Sequence, residues 1–228
     1  MKKYRDYLLL ILIFFLVGIG VYSNIMQQNA VDQTKIPGKV EESRGFQRWT
    51  TNLRNKDVVL DADNFRLVEV NEVYNTKWMK VYSADDPEQK IIFEKTLAEH
   101  RELDKVIFSP SDREFIDFRN IDRGDYKSNE VRFYGQKEDK IIDSRVLDCS
   151  IKANCYIDRA YFLDNDVFVI SEISRNIDKK DENPAICTPE EACTYTFKVH
   201  VVDLINNKRH IYESETFEVV LVQLIPEL

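Results

Sequence analysis

Glycine is scarce, six in 228 residues, and no stretch forms the glycine-rich loop that cradles phosphates with backbone N–H groups. The chain also has no G-x-S-x-G, no H-E-x-x-H and no C-x-x-C, which removes the common motif-borne hydrolase, metalloprotease and dithiol-redox chemistries. Histidine occurs at His100, His200 and His210 alone. His200, within TFKVHVV, reads as a strand residue and His210 follows a basic pair at a hairpin, so a Ser/His/Asp set drawn from them would be arbitrary. Asp61, Asp63 and Asn64, and the cluster Asp178, Asp181 and Glu182, offer oxygen ligands but lack the glycine and distal glutamate of an EF-hand loop. They read as solvated acidic loops. The sequence therefore designates no catalytic, cofactor-binding or metal-ligating residue, implies no cofactor, and points away from an enzyme.

Positive charge is absent from residues 7–34, whereas Lys2, Lys3 and Arg5 precede that stretch. Residues 7–22 carry no charge, and the apolar run extended to residue 26 has twenty residues, which at about 1.5 Å each spans the roughly 30 Å hydrocarbon core. The expectation is a transmembrane anchor at 7–26 with a cytoplasmic flank at 1–6 and everything beyond it extracytoplasmic, by the positive-inside bias. A cleaved signal peptide is the alternative. The run is longer than the usual apolar region and lacks an A-x-A-like site, and either form exports the remainder. No cysteine lies in or just after the run to accept a lipid.

Residues 27–44 are polar, include Pro37-Gly38 and show no apolar period, the composition of a flexible linker. Residues 45–228 are enough for one well-buried domain. The chain is formally −8 and the cytoplasmic hexapeptide (Lys2, Lys3 and Arg5 against Asp6) contributes +2, which leaves −10 on the exported part. Without a basic stripe, nucleic acid and anionic lipid surfaces are excluded as partners. Aromatic residues at 11% supply more core than disordered chains possess.

Short runs rich in Val, Ile, Phe and Tyr recur between polar turns: FRLVEV, WMKVYS, KVIFS, EFIDF, EVRFYG, KIIDSRVL, AYFL, VFVISEI, YTFKVHVVDL, HIYES and FEVVLVQL. Their length and partial alternation predict a mainly β, antiparallel meander, with FEVVLVQL as a buried closing strand. Asn206-Asn207 suits a two-residue hairpin. At residues 86–103 two readings compete. Asp86-Pro87-Glu88 could start a helix, but a strand over 91–96 followed by a short helical turn is favoured.

The segments beginning at Trp78, Glu130 and Lys198 each read as strand, polar turn, strand, and hairpins precede the second and third. FSPSDREFIDF followed by EVRFYG resembles the strand pattern of WD40-like and TolB-like β-propeller repeats, across roughly residues 60–215. That resemblance implies a propeller-like, incomplete arc of about three meandering sheets, or a related sandwich.

Four cysteines occur as two pairs of equal spacing, Cys149/Cys155 and Cys187/Cys193. In an oxidising compartment they read as two disulfides; the five-residue gap is long for paired zinc ligands. The matched spacing favours local pairing over crossed pairing, and the strand order brings all four to one face. The charged loop after the strand at 167–174 is long, and long loops are commonly functional. Arg175, Asp178, Lys179, Lys180, Asp181, Glu182, Glu190 and Glu191 are its candidate binding residues. The expected protein is a single-pass inner or plasma membrane protein of a bacterial envelope, presenting a non-catalytic binding or scaffolding domain to a protein partner in the periplasm or at the surface. An enzyme with a scattered site and a self-assembling envelope protein are the alternatives.

Overall fold

The structure is a computed structural model that describes residues 13, 15–20, 32–74, 77–122, 127–178 and 186–225. The chain divides into a unit at Met1–Thr34 and a unit at Lys35–Leu228. Of the predicted span at 7–26, residues 13 and 15–20 are described and helical; the rest of it and the flank at 1–6 lie outside the described residues. Among the described residues no helix is long and apolar enough to cross a membrane.

The second unit runs α1 (Gly38–Glu41), α2 (Arg44–Arg54), β1 (Arg66–Asn71), β2 (Met79–Ser83), α3 (Pro87–His100), β3 (Val106–Phe108), β4 (Glu114–Asp117), β5 (Asn120–Asp122), β6 (Lys127–Lys137), β7 (Lys140–Asp148), β8 (Lys152–Phe162), β9 (Val167–Asp178), β10 (Ala192–Asp203), β11 (Lys208–Val220) and α4 (Leu221–Leu224). Two antiparallel sheets result. The first has the order β1-β11-β10-β9-β8 and the second β2-β7-β6-β4-β3, with β5 beside β6. Each is a four-stranded meander whose last strand pairs with a short strand from earlier in the chain. The hairpins expected from the sequence at β3–β4, β6–β7, β8–β9 and β10–β11 are all formed.

Alternation along the strands decides how the sheets stack, because successive side chains point to opposite faces. Phe168 and Ile170 of β9, Val202 of β10 and Ile157 of β8 share one apolar cluster with Ile116, Val131, Phe133, Ile142 and Val146 of the second sheet. Phe133 and Phe168 stack across the gap with ring centroids 6.1 Å apart. The sheets thus face each other as a sandwich. No closed barrel and no propeller ring is present among the described residues, because the two meanders share this one core rather than following each other around an axis.

A helix covers each outer face. Ser43 caps α2 by accepting from Phe46 N at 3.2 Å, and Phe46, Trp49, Thr50 and Leu53 form its buried stripe. This stripe meets Val169, Tyr195, Phe197 and Val199 on the outer face of the first sheet. Trp49 is fully buried and its Nε1–H donates to Asp158 Oδ2 at 2.6 Å. Ile36 and Val40 belong to the same core, so residues 35–44 of the stretch read as a flexible linker are part of the folded unit.

The strand expected at 91–96 is instead the middle of α3. Asp86 accepts from Glu88 N, Pro87 occupies the first turn, and Phe93 and Leu97, one turn apart, are buried against Val106, Phe115 and Ile141 of the second sheet. A helix satisfies its own backbone while burying that pair, whereas a strand here would need a ladder partner. The expected closing strand is divided: residues 217–220 continue β11, and Leu221–Leu224 turn into α4. The β10–β11 connection has four residues rather than two, because Asp203 pairs with Lys208, and Asn207 supplies the positive φ of 52°.

Candidate functional site between the sheets

The inward positions of the first sheet change character along the strands. Antiparallel register sets Phe162, Phe168 and Val202 side by side at one end, Ala160, Ile170 and His200 in the middle, and Ile157, Glu172 and Lys198 beyond them; Glu213 of β11 follows Lys198. The first row is apolar and packs the sandwich, while the third places two carboxylates and an ammonium where alternation calls for apolar side chains. The sheets therefore enclose a dry core at one end and a cleft of about 700 Å³ at the other. Glu172, Lys198, His200, Arg209 and Glu213 of the first sheet line it, facing Arg145 and Asp148 at the end of β7, with Lys152, Glu69 and Trp78 around them.

Glu172 and His200 are 1% and 2% exposed, and His200 Nε2 lies 2.9 Å from Glu172 Oε2. Burial pushes the imidazole below its ordinary pKa against the pull of Glu172, so His200 is neutral and Nε2–H is the donor. Burial also works against the Glu172 carboxylate, but the bond from His200 and the nearby Lys152 and Lys198 outweigh it and hold the group below its ordinary value. This neutral imidazole and ionised carboxylate leave two acceptors, His200 Nδ1 and Glu172 Oε1, without a hydrogen-bond partner among the described residues. Buried polar atoms are seldom left so, and each one calls for an explanation.

The surrounding charges pair among themselves. Lys198 Nζ reaches Glu213 at 3.2 Å; Arg145 bonds Asp148 at 2.7 Å and its guanidinium lies 3.5 Å from the centre of the Trp78 ring. Arg209 donates to Asn71 Oδ1 at 3.0 Å and to Val146 O at 2.5 Å, tying β11 to β1 and to the opposite sheet. Burial lowers the Arg209 pKa. Lys152 differs: among the described side chains it is ion-paired to Glu172 Oε1 at 3.9 Å, outside hydrogen-bond distance.

Both disulfides are formed locally, Cys149 with Cys155 and Cys187 with Cys193. The first joins the end of β7 to β8 and so staples one sheet to the other at the wall of the cleft, which Cys155 lines. Asn129 of β6 reinforces it, accepting from Cys149 N at 2.8 Å and donating to Cys155 O at 2.6 Å. The second disulfide shapes the turn into β10. Asn154 bonds both the N–H and the carbonyl of Cys187, so the two cysteine loops are neighbours, as the strand order implied.

The candidate binding loop is shorter than the sequence suggested, because β9 continues to Asp178 and includes Arg175. Lys179, Lys180, Asp181 and Glu182 lie outside the described residues. Glu191 accepts from Thr188 N at 3.0 Å within the disulfide turn, and Glu190 is exposed. Neither lines the cleft, and nor does Arg175. The signal for the cleft was present in the sequence: Glu172 interrupts Phe168, Ile170 on β9, and Lys198 and His200 precede Val202 on β10, all at inward positions.

A second concavity, of about 910 Å³, lies beside the start of α2 and carries Lys39, Arg44, Arg48 and Arg159. Its half-buried acid, Asp158, is bonded by Trp49, and the Tyr161 hydroxyl, pushed up to about 12 by burial, receives Ser43 Oγ at 3.4 Å. Comparison with protein-family models, curated proteins and solved structures finds no match to this chain.

Proposed function

We propose that this chain is a single-pass envelope protein holding a disulfide-braced β-sandwich outside the cytoplasm, and that the sandwich is a binding module whose site is the cleft between its sheets. Two disulfides fit an oxidising compartment, and the cationic flank followed by an uncharged run supports the anchor. The observation that carries the site is the pair of buried, unpartnered acceptors on Glu172 and His200 beside the Lys152 ammonium, 3.9 Å from Glu172 Oε1 and too far to hydrogen-bond it. A cavity of this size with a few converging polar groups is the usual form of a small-ligand site. Binding rather than turnover is favoured because Arg145 with Asp148 and Lys198 with Glu213 are held in mutual pairs. Ligand occupancy at the staple between the sheets would be transmitted to whatever partner the domain meets in the envelope.

The reading is tested by thermal shift of the full-length protein in detergent against three probe sets: α-amino acids and dipeptides, neutral mono- and disaccharides, and inorganic phosphate with short dicarboxylates. At least one set is expected to raise the wild-type midpoint and to leave Glu172→Gln unmoved. Equal shifts in both proteins, or none in either, would overturn it.

A further inference from the structure

Both unpartnered atoms at the cleft floor, Glu172 Oε1 and His200 Nδ1, are acceptors, so an occupant that satisfies them brings N–H or O–H donors. Glu172 is an ionised carboxylate removed from solvent, and a charged donor stabilises such a group about twice as strongly as a neutral one. Lys152 adds the opposite requirement, an acceptor for its ammonium.

The two groups face each other across 3.9 Å. That distance is too long for a direct hydrogen bond, and one molecule carrying a donor and an acceptor on neighbouring atoms can engage both. Ionised side chains lining the cleft number five carboxylates (Glu69, Glu72, Asp148, Glu172 and Glu213) against four cations (Arg145, Lys152, Lys198 and Arg209). So nearly balanced a lining discriminates against a ligand of one sign, a phosphate or a polyamine, and accommodates one that is dipolar and neutral overall. Val68, Trp78 and Ile151 also border the cleft and are 56%, 42% and 60% exposed. They give it an apolar rim over a charged floor.

Resting on the reading of the cleft as a ligand site, we infer that its ligand is a zwitterionic α-amino acid or short peptide with an apolar side chain. The ammonium sits on Glu172 Oε1, the carboxylate or adjoining carbonyl on Lys152, and the side chain against Val68, Trp78 and Ile151. The cleft volume, about 700 Å³, leaves room for more than a single residue.

Isothermal titration of the full-length protein in detergent with leucine, leucyl-leucine, N-acetyl-leucine, leucine amide and glycine tests each element. Leucine or leucyl-leucine is expected to bind at least 10-fold more tightly than N-acetyl-leucine and than glycine. Lys152→Met is expected to erase the preference for leucine over its amide, and Glu172→Gln the preference for leucine over its N-acetyl form; circular dichroism checks that both variants are folded. Binding of a saccharide or of phosphate without any of these zwitterions would overturn the ligand class and leave the cleft as a binding site. Binding of leucine that neither folded variant alters would place the site elsewhere and overturn the inference. No binding by any probe would overturn both.

Discussion

Asn154 and Cys187 share two hydrogen bonds: Asn154 Nδ2 donates to Cys187 O at 2.7 Å, and Cys187 N donates to Asn154 Oδ1 at 2.9 Å. Both residues are buried, and Asn154 has φ 51°, a conformation that asparagine tolerates better than most residues. One side chain thus locks the loop of one disulfide to the loop of the other. Asn154→Ala leaves a buried donor and acceptor unsatisfied and keeps the unfavourable φ; it is expected to cost about 2 kcal/mol or more. Asn154→Gly relieves the backbone and should cost less. Urea midpoints at unchanged m-value measure both.

Local pairing of the cysteines is expected in the isolated protein. Peptide mapping without reduction should recover Cys149 linked to Cys155 and Cys187 linked to Cys193. Each closes a small loop, worth roughly 2 kcal/mol in the chain-entropy estimate. Cys149→Ser, Cys155→Ser is expected to disturb the cleft more than Cys187→Ser, Cys193→Ser, because the former pair joins the two sheets; loss of amide-exchange protection at residues 198–200 is the readout.

The helix at α3 makes opposite demands of neighbouring residues. Phe93 is fully buried while Ile91 is 70% exposed, although in a strand these two would share a face. Phe93→Ala is expected to cost about 3–5 kcal/mol, and Ile91→Ala to change stability by less than about 0.5 kcal/mol. Equal losses in thermal or urea unfolding would indicate the strand.

Acid should loosen the cleft before the rest of the sandwich. The carboxylate of Glu172 is held, despite burial, below its unfolded value of about 4.3 by the bond from His200 and by Lys152 and Lys198, so its contribution is present above the unfolded value and is lost as pH falls through the folded one. His200 is also lowered, chiefly by burial; its unfolded form gains a proton below about 6.5, which favours unfolding as pH drops. Lys152, Lys198 and Arg209 are the cations that face the pair. The stability advantage of wild type over Glu172→Gln should therefore hold down to about pH 5 and shrink from there towards pH 2 in urea titrations. Asp158 acts in the reverse sense. Its pKa is raised, chiefly by burial, so the folded state binds the extra proton and stability falls as pH rises through that raised value. Asp158→Asn keeps an acceptor for Trp49 and should be at least as stable as wild type at pH 7.

Strand positions, four hairpins and the pairing of the cysteines were legible in the sequence because each is a local property. Alternation needs only a few consecutive residues, and six positions separate the cysteines of each bridge. Helix α2 was also encoded locally, by the Ser43 cap and the spacing of Phe46, Trp49 and Leu53, although residues 45–54 were expected only as the start of the β domain. At α3 local signals truly competed: IIF favours a strand and the Asp86-Pro87 cap a helix. The decision came from the second sheet, which offers a surface to Phe93 and Leu97 but no ladder to residues 91–96.

The stacking of two meanders on one core, and the cleft that opens where that core ends, were decided by the tertiary structure alone. Glu172 and His200 stand 28 residues apart and meet through the register of β9 on β10. A lone glutamate or histidine in a strand is compatible with a solvated face or a buried one. The side it takes depends on which face the opposite sheet covers, and that is set by contacts between distant parts of the chain.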